Sequence, residues 1–265
     1  MDAPSNPIEQ ARTARYRLSP PTEPFEASNR PGEAAASIHV PGSKSLTNRA
    51  LLLAALAEGN STLENVLFSD DTRRMLEALT ALGFEVNADE EQSRVIVRGE
   101  GGRIPEKDAT LFLGNAGTAM RFLTAACCLG EGPYVVEGVE RMHERPIGQL
   151  VDALRALGAD IAYLQNEGYP PLRIRGGALT GGTVTLPKAV SSQYVSALLQ
   201  IGPYLPNGLT LRFTPPLPSQ TYVDMTEQLM QQFGARFETP AAVESEIRVS
   251  GAARYRGGPH IIEPD

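Results

Sequence analysis

The residues of this chain best suited to chemistry are cations and small hydroxyls gathered at helix starts. Lys44, Ser45 and Arg49 fall in PGSKSLTNRALLLAAL from Pro41. Asn115, Gly117, Thr118 and Arg121 fall in GNAGTAMRFLTAA from Gly114, and Ser191, Ser192 and Gln193 in KAVSSQYVSALLQ from Lys188. In each case a short polar turn leads into an apolar helical run, with a hydroxyl or amide expected at the N-cap. The first backbone N–H groups of a helix have no internal partner and its dipole is positive there, so such a start is ready to hold an anion. A cation in a first turn opposes the dipole at a cost of roughly 0.3–1 kcal/mol, which an anionic ligand would offset. Lys44, Arg49 and Arg121 are read as such cations.

The elements that must position these residues form a repeat. Helix-like segments at 75–86, 150–161 and 229–237 each contain a glycine followed by a strand-like run. Those glycines are Gly83, Gly158 and Gly234, 75 and 76 residues apart. Alternating strands end on or just before Gly99, Gly176 and Gly251, 77 and 75 residues apart. A fixed period across independent landmarks predicts repeated architecture, and helices alternating with short strands predict an α/β layer fold. The units are expected at about 38–112, 113–187 and 188–258, making one three-repeat domain over 38–258. Residues 1–37, rich in Pro, Ser, Ala and Glu, read as a leader with at most one short strand, at 16–18. RGGPHIIEPD stops on Asp265 just after an apolar run, which reads as a chain cut in mid-element.

Bulk properties narrow the function. A net charge of −7 over 265 residues argues against a nucleic-acid surface. No run of 18 apolar residues and no signal-peptide core is present, so a cytoplasmic protein without membrane contact is expected. Cys127 and Cys128 are adjacent, a spacing unsuited to a metal site or an ordinary disulfide, and read as inert core thiols. His39, His143 and His260 lack metal-ligand spacing. Neither a metal nor a cofactor is expected.

Four strings in order, PGSKSLTNRALLLAA, LFLGNAGTAMRF, RMHERPIGQLVDALRALGA and AVSSQYVSALL, closely resemble the 3-phosphoshikimate 1-carboxyvinyltransferase (EPSP synthase) family from about Ile38 to Asp265. The resemblance implies two similar domains, each of three βαβαββ-type units, with the active site between them. This chain would supply one such domain, residues 259–265 would begin the crossing into the second, and the leader's strand would belong to that second domain. The implied reaction transfers the enolpyruvyl group of phosphoenolpyruvate to the 5-hydroxyl of shikimate 3-phosphate and releases phosphate. Family precedent favours a monomer.

Residue by residue, Lys44 matches the lysine that contacts both substrates and serves in proton transfer. Asn115, Gly117, Thr118, Arg121, Arg145 and Gln193 match positions around phosphoenolpyruvate. Ser45, Arg49, Ser191, Ser192, Gln193, Ser219 and Tyr222 match positions around shikimate 3-phosphate. Pro146, after Arg145, is expected to open a helix. Two departures stand out: His143 where many members carry lysine, and Phe122 where many carry proline, which leaves open the angle of that helix. The acids credited with proton transfer belong to the second domain, and neither Glu263 nor Asp265 is given a catalytic role.

Other readings fit less well. The related transferase acting on a UDP-amino sugar uses Lys-Asn in its first motif, where this chain has Lys44-Ser45. A P-loop needs the Gly-Lys-Ser/Thr order, which residues 42–45 lack. A non-catalytic anion-binding repeat module is the alternative from another class, and ligand titration with a phosphate-release assay separates it from the enzyme.

Overall fold

Each polar turn of the sequence opens a helix, and each helix sits inside a small sheet-forming unit. The computed structural model describes residues 40–177, 179–187, 190–214, 219–238, 245–251 and 253–264. The leader with its expected strand, and Ile38, His39, Lys188 and Asp265, lie outside the described residues. The first unit contains α1 (Lys44–Leu56), β1 (Glu58–Glu64), α2 (Asp70–Ala81), β2 (Glu85–Asp89) and β3 (Arg94–Glu100). The second runs through β4 (Ala109–Phe112), α3 (Gly117–Cys127), β5 (Tyr134–Glu137), α4 (Gly148–Ala156), β6 (Asp160–Tyr163) and β7 (Leu172–Arg175). The third comprises β8 (Gly182–Thr185), α5 (Ser192–Ile201), β9 (Leu209–Arg212), α6 (Gln220–Gln232), β10 (Phe237–Glu238) and β11 (Glu246–Val249), after which comes β12 (Pro259–Ile261).

Among the described residues three four-stranded sheets result, in the orders β12-β1-β3-β2, β4-β5-β7-β6 and β8-β9-β11-β10. In each, the first pair is parallel and the others antiparallel. Parallel neighbours need a crossover; α3 supplies it between β4 and β5 and α5 between β8 and β9, whereas β12 returns to β1 from the far end of the repeats. This geometry corrects the expected unit limits. β4 and β8, read as the closing strands of the first two units, open the second and third sheets instead. After the third unit, Pro259–Ile261 form β12 of the first sheet, where Thr62 pairs with Pro259 and Glu64 with Ile261.

Side-chain pattern decides which helices lie inside. α1 is buried from Thr47 to Leu56 without a break, α3 is buried at every residue except Thr118, and α5 is buried from Tyr194 to Ile201. A helix that is apolar on all sides has no face to offer water. By contrast α2, α4 and α6 bury a single stripe, such as Met75, Leu76, Ala78 and Leu79 in α2. The two glycine series have separate causes. Gly83, Gly158 and Gly234 follow the C-caps of α2, α4 and α6 with φ of +85°, +105° and +95°, the left-handed turn that glycine adopts without strain. At Gly99, Gly176 and Gly251 a Cβ would lie 2.2, 1.9 and 2.2 Å from the carbonyl oxygens of Ala57, Gly130 and Leu205. Only a residue without a side chain lets each third strand approach the backbone so closely.

Cys127 and Cys128 are free and buried at the end of α3, as expected of core thiols. Among the described residues, no helix is long and apolar enough to cross a membrane.

Candidate functional site

A Gln193–Thr118 hydrogen bond joins the starts of α5 and α3, Arg49 ties α1 to both helices one turn further in, and two of the three buried helices are capped as the sequence predicts. Ser43 caps α1, its hydroxyl accepting from the Leu46 N–H at 3.2 Å, and Ser191 caps α5 by accepting from the Gln193 N–H at 3.3 Å. α3 differs: its N-cap is Ala116, with no side-chain cap, so the expected hydroxyl or amide cap is absent there. None of the three has an acidic residue in its first turn, whereas α2 begins with Asp70 and Asp71. The inner helices therefore keep the positive ends of their dipoles unbalanced by carboxylates of their own.

The cations divide into two layers. Lys44 is the first residue of α1 and its Nζ lies 3.3 Å from Asp71 Oδ2, with about half of the side chain exposed (48%). Arg145 is half-buried and donates from Nη1 to the Asn115 carbonyl at 3.0 Å and to Asn115 Oδ1 at 3.4 Å. Arg49 and Arg121 correct the expectation that they occupy first turns. Both lie in the second turn and point inward, 2% and 3% exposed. Arg121 donates to the Gly117 carbonyl at 3.2 Å and to the Pro146 carbonyl at 2.8 Å, which also accepts from Tyr194 Oη at 2.6 Å. Burial pulls the guanidinium of Arg121 below its ordinary value, and it brings that of Arg49 down to about 10. The dipole cost calculated for a first-turn cation thus applies to Lys44 alone.

Pro146 likewise departs from expectation. It does not open a helix; α4 starts at Gly148, because the N–H groups of Ile147 and Gly148 both donate to the Gly168 carbonyl. This leaves the Pro146 carbonyl free to hold Arg121 and Tyr194.

Side-chain contacts join the predicted residues in small groups, and leave Lys44, Ser192 and Ser219 outside them among the described residues. Gln193 Nε2 reaches Thr118 Oγ1 at 3.5 Å, tying the start of α5 to that of α3. Arg49 links α1 to both other inner helices, donating to Ser196 Oγ of α5 and lying 5.2 Å from the ring centroid of Phe122 in α3. Its Nη1 also holds the Ser45 carbonyl at 2.9 Å, and its Nη2 the Tyr222 carbonyl at 3.4 Å. Ser192 is the first residue of α5 and half-buried. Ser219 is exposed at the N-cap of α6 with φ 54° and ψ 50°, and its hydroxyl caps nothing. Lys44, Asn115, Ser219 and Tyr222 are exposed, while Ser45, Thr118, Arg145, Ser191 and Gln193 are half-buried. A cavity of about 710 Å³, between α6 and residues 261–264, touches the predicted set at Tyr222 only.

Three residues in this arrangement escaped the sequence reading. Asp71 looks like an ordinary acid in a first helical turn, yet it faces Lys44 across the two helix starts. Ser196 and Thr226 read as helix-interior residues, yet both are fully buried and hold Arg49. A hydroxyl inside the otherwise apolar run of α5 was the available signal. Among the described residues, no group of three or more His, Cys, Asp or Glu gathers as a metal site would require.

Three sheets, each of one parallel and two antiparallel pairs, with buried helices whose first turns lack acids, define an α/β repeat domain. A family model for EPSP synthase (3-phosphoshikimate 1-carboxyvinyltransferase) matches residues 29–265, and the chain belongs to that family. It is 50% identical over 201 residues to a 3-phosphoshikimate 1-carboxyvinyltransferase of Marinomonas sp. (strain MWYL1), covering 76% of this chain and 47% of the relative. It is 49% identical over 231 residues to the enzyme of that name from Escherichia coli O127:H6, covering 86% of this chain and 53% of the relative. The solved structure of EPSP synthase from Acinetobacter baumannii superposes with a TM-score of 0.74 at 27% identity, over 85% of this chain and 49% of the other. The chain therefore spans about half the length of the curated relatives it matches.

Proposed function

We propose that this chain supplies the substrate-anchoring half of an enolpyruvyl transferase. Its reaction moves the enolpyruvyl group of phosphoenolpyruvate to the 5-hydroxyl of shikimate 3-phosphate, in the cytoplasm and as a monomer. The observation that carries this reading is a set of three acid-free helix starts, two of them joined by Gln193 and Thr118, with solvent-reachable cations at the starts of α1 (Lys44) and α3 (Arg145). Both substrates are phosphorylated carboxylates, and backbone N–H groups at helix starts suit such anions. The names carried by relatives about 50% identical, matched over about half of their length, support the same choice.

In this reaction the 5-hydroxyl oxygen bonds to C2 of phosphoenolpyruvate while C3 gains a proton. The resulting tetrahedral adduct then breaks the bond between C2 and the phosphate oxygen and returns a proton from C3, leaving the enol ether and inorganic phosphate. We assign Lys44, Asn115, Gly117, Thr118, Arg121, Arg145 and Gln193 to phosphoenolpyruvate. To shikimate 3-phosphate we assign Lys44, Ser45, Arg49, Ser191, Ser192, Gln193, Ser219 and Tyr222. Fixed donors aimed at a developing charge lower the barrier because they need no reorganisation as the charge appears. Lys44 is the group in this chain suited to carry a proton to or from the adduct. The remaining proton-transfer acids and the wall that excludes water we assign to the other half of the relatives' length.

Calorimetric titration with shikimate 3-phosphate, with and without phosphoenolpyruvate, tests the reading when paired with a phosphate-release assay. The 265-residue chain is expected to bind shikimate 3-phosphate weakly and to release no phosphate until the complementary half of a relative is added. Absence of shikimate 3-phosphate binding in that complemented mixture would refute the assignment. Phosphate release by the chain alone, dependent on shikimate 3-phosphate, would show that the second half is not essential to the chemistry.

A further inference from the structure

Arg49 is a cation shut away from water, and the groups that hold it are neutral. Its Nε donates to Thr226 Oγ1 at 2.7 Å, its Nη1 to the Ser45 carbonyl, and its Nη2 to Ser196 Oγ at 3.2 Å and the Tyr222 carbonyl. The rings of Phe122 and Tyr222 lie 5.2 and 5.9 Å from its central carbon. Thr226 and Ser196 also touch each other, 2.8 Å apart, and Thr226 reaches the Tyr222 carbonyl at 2.8 Å.

The hydroxyl protons in this cluster have one consistent arrangement. Arg49 Nε can only donate and the Tyr222 carbonyl can only accept. The Thr226 proton therefore goes to the Tyr222 carbonyl, and Ser196 donates to Thr226 Oγ1. That leaves a lone pair on Ser196 Oγ to accept from Arg49 Nη2. Each hydroxyl has one geometry that satisfies all its neighbours, so the guanidinium plane is held in one orientation rather than several.

We propose that Thr226, Ser196 and Phe122 are positioning residues for Arg49, aiming its guanidinium at the anionic acceptor between the starts of α1 and α6. The proposal rests on shikimate 3-phosphate being that acceptor. None of the three is assigned a contact with substrate. Packing alone does not account for them: valine would fill the volume of Thr226, and alanine would suit the apolar surroundings of Ser196 in α5. What those substitutions would lose is the hydroxyl network. Phe122 supplies a π face to the same cation, an attraction that grows where water is excluded.

The test is Thr226→Val, with Thr226→Ser as the conservative partner and Ser196→Ala as a second variant should valine prevent folding. Two readouts are taken well below each variant's melting temperature. One is calorimetric affinity for shikimate 3-phosphate; the other is hydrogen-exchange protection of the Arg49 Nε–H resonance in ligand-free protein, assigned through Arg49→Lys. Thr226→Val is expected to lose that protection and to bind roughly ten- to hundred-fold more weakly, because a charged donor loses its acceptor. Thr226→Ser should restore both, and Phe122→Leu should weaken binding several-fold. Unchanged protection and affinity in Thr226→Val, or in Ser196→Ala if it stands in, would overturn the proposal. If the wild-type resonance is protected, and Thr226→Val abolishes that protection, while even wild type fails to bind shikimate 3-phosphate, the positioning role stands and the assigned acceptor is wrong.

Discussion

Gly117→Ala should weaken phosphoenolpyruvate binding without harming the fold, and the structure shows why the two effects separate. Gly117 is the first residue of α3 and is not among the positive-φ glycines, so alanine can adopt its backbone. A Cβ there would lie 2.2 Å from Nη2 of Arg145 and 2.5 Å from its Cζ and Nη1. Carbon contacts are comfortable from roughly 3.5 Å, so the guanidinium must retreat by more than about 1 Å. It can do so, because among the described residues its guanidinium donates to Asn115 alone. A charge-assisted bond to the ligand lost in that movement is worth about 1.5–3 kcal/mol, a roughly ten- to hundred-fold loss of affinity. Alanine is the better helix former by up to roughly 1 kcal/mol, so the melting temperature should hold or rise. The assay is calorimetry with phosphoenolpyruvate in protein saturated with shikimate 3-phosphate, beside a thermal melt and a titration of shikimate 3-phosphate alone. In an Arg145→Ala background the same substitution should cost little, since the group it displaces is gone. Equal losses for both ligands with a lowered melting temperature, or additive losses in the double variant, would refute the steric account.

Lys44→Met removes a half-exposed ion pair and also a cation from a helix start, two small terms of opposite sign, so stability should change by less than about 1 kcal/mol; binding of both substrates should weaken at least about tenfold, and a melt paired with calorimetry checks the split. Burial, reinforced by Asp224, raises the Glu227 carboxyl from 4.5 to about 7. Between those values the folded chain keeps a proton that the unfolded chain releases, so stability falls as pH rises through that window. Glu227→Gln should remove this slope and gain about 1–2 kcal/mol at pH 8, after discounting for the group's partial exposure, with no gain at pH 4; parallel melting curves at both pH values would contradict this. Burial raises both Cys127 and Cys128 thiols, with the neighbouring thiol adding at Cys127, so neither should react with a chromogenic thiol reagent until denaturant is added; labelling within minutes in native buffer would count against a closed core.

The parts of this fold that were legible in the sequence are those with local chemistry. Ser43 and Ser191 cap helices because a hydroxyl beside an open N–H has few alternatives, and Gly83, Gly158 and Gly234 mark helix ends because the turn after them needs positive φ. Arg49 and Arg121 were located on the right helices, but in the second turn rather than the first. Their distance from the helix start sets their direction, and the first helical residue is not visible in a polar turn. Ala116 shows the same blindness, since α3 begins without any side-chain cap. Ser196 and Thr226 went unnoticed because their role depends on an arginine 147 and 177 residues away. The unit boundaries moved by one strand for a related reason: a three- or four-residue strand carries too little pattern to say which sheet it joins.

The pairing of β12 with β1 turns the three repeats into a closed circuit. In an open stack of repeats, each unit contacts only its neighbours, the outermost ones loosen first, and stability accumulates unit by unit. Here the first sheet is completed by a strand nearly two hundred residues downstream of its partner. No sheet is therefore an end of the array. The first unit cannot reach its full complement of strands until residues 259–261 have been synthesised, and closing so long a loop makes for slow, non-local folding. Loss of those few residues would reach back to the sheet beside Lys44 and loosen the helix start that carries it. A single cooperative unfolding transition, with no stable two-thirds fragment surviving limited proteolysis, is the behaviour such a circuit imposes.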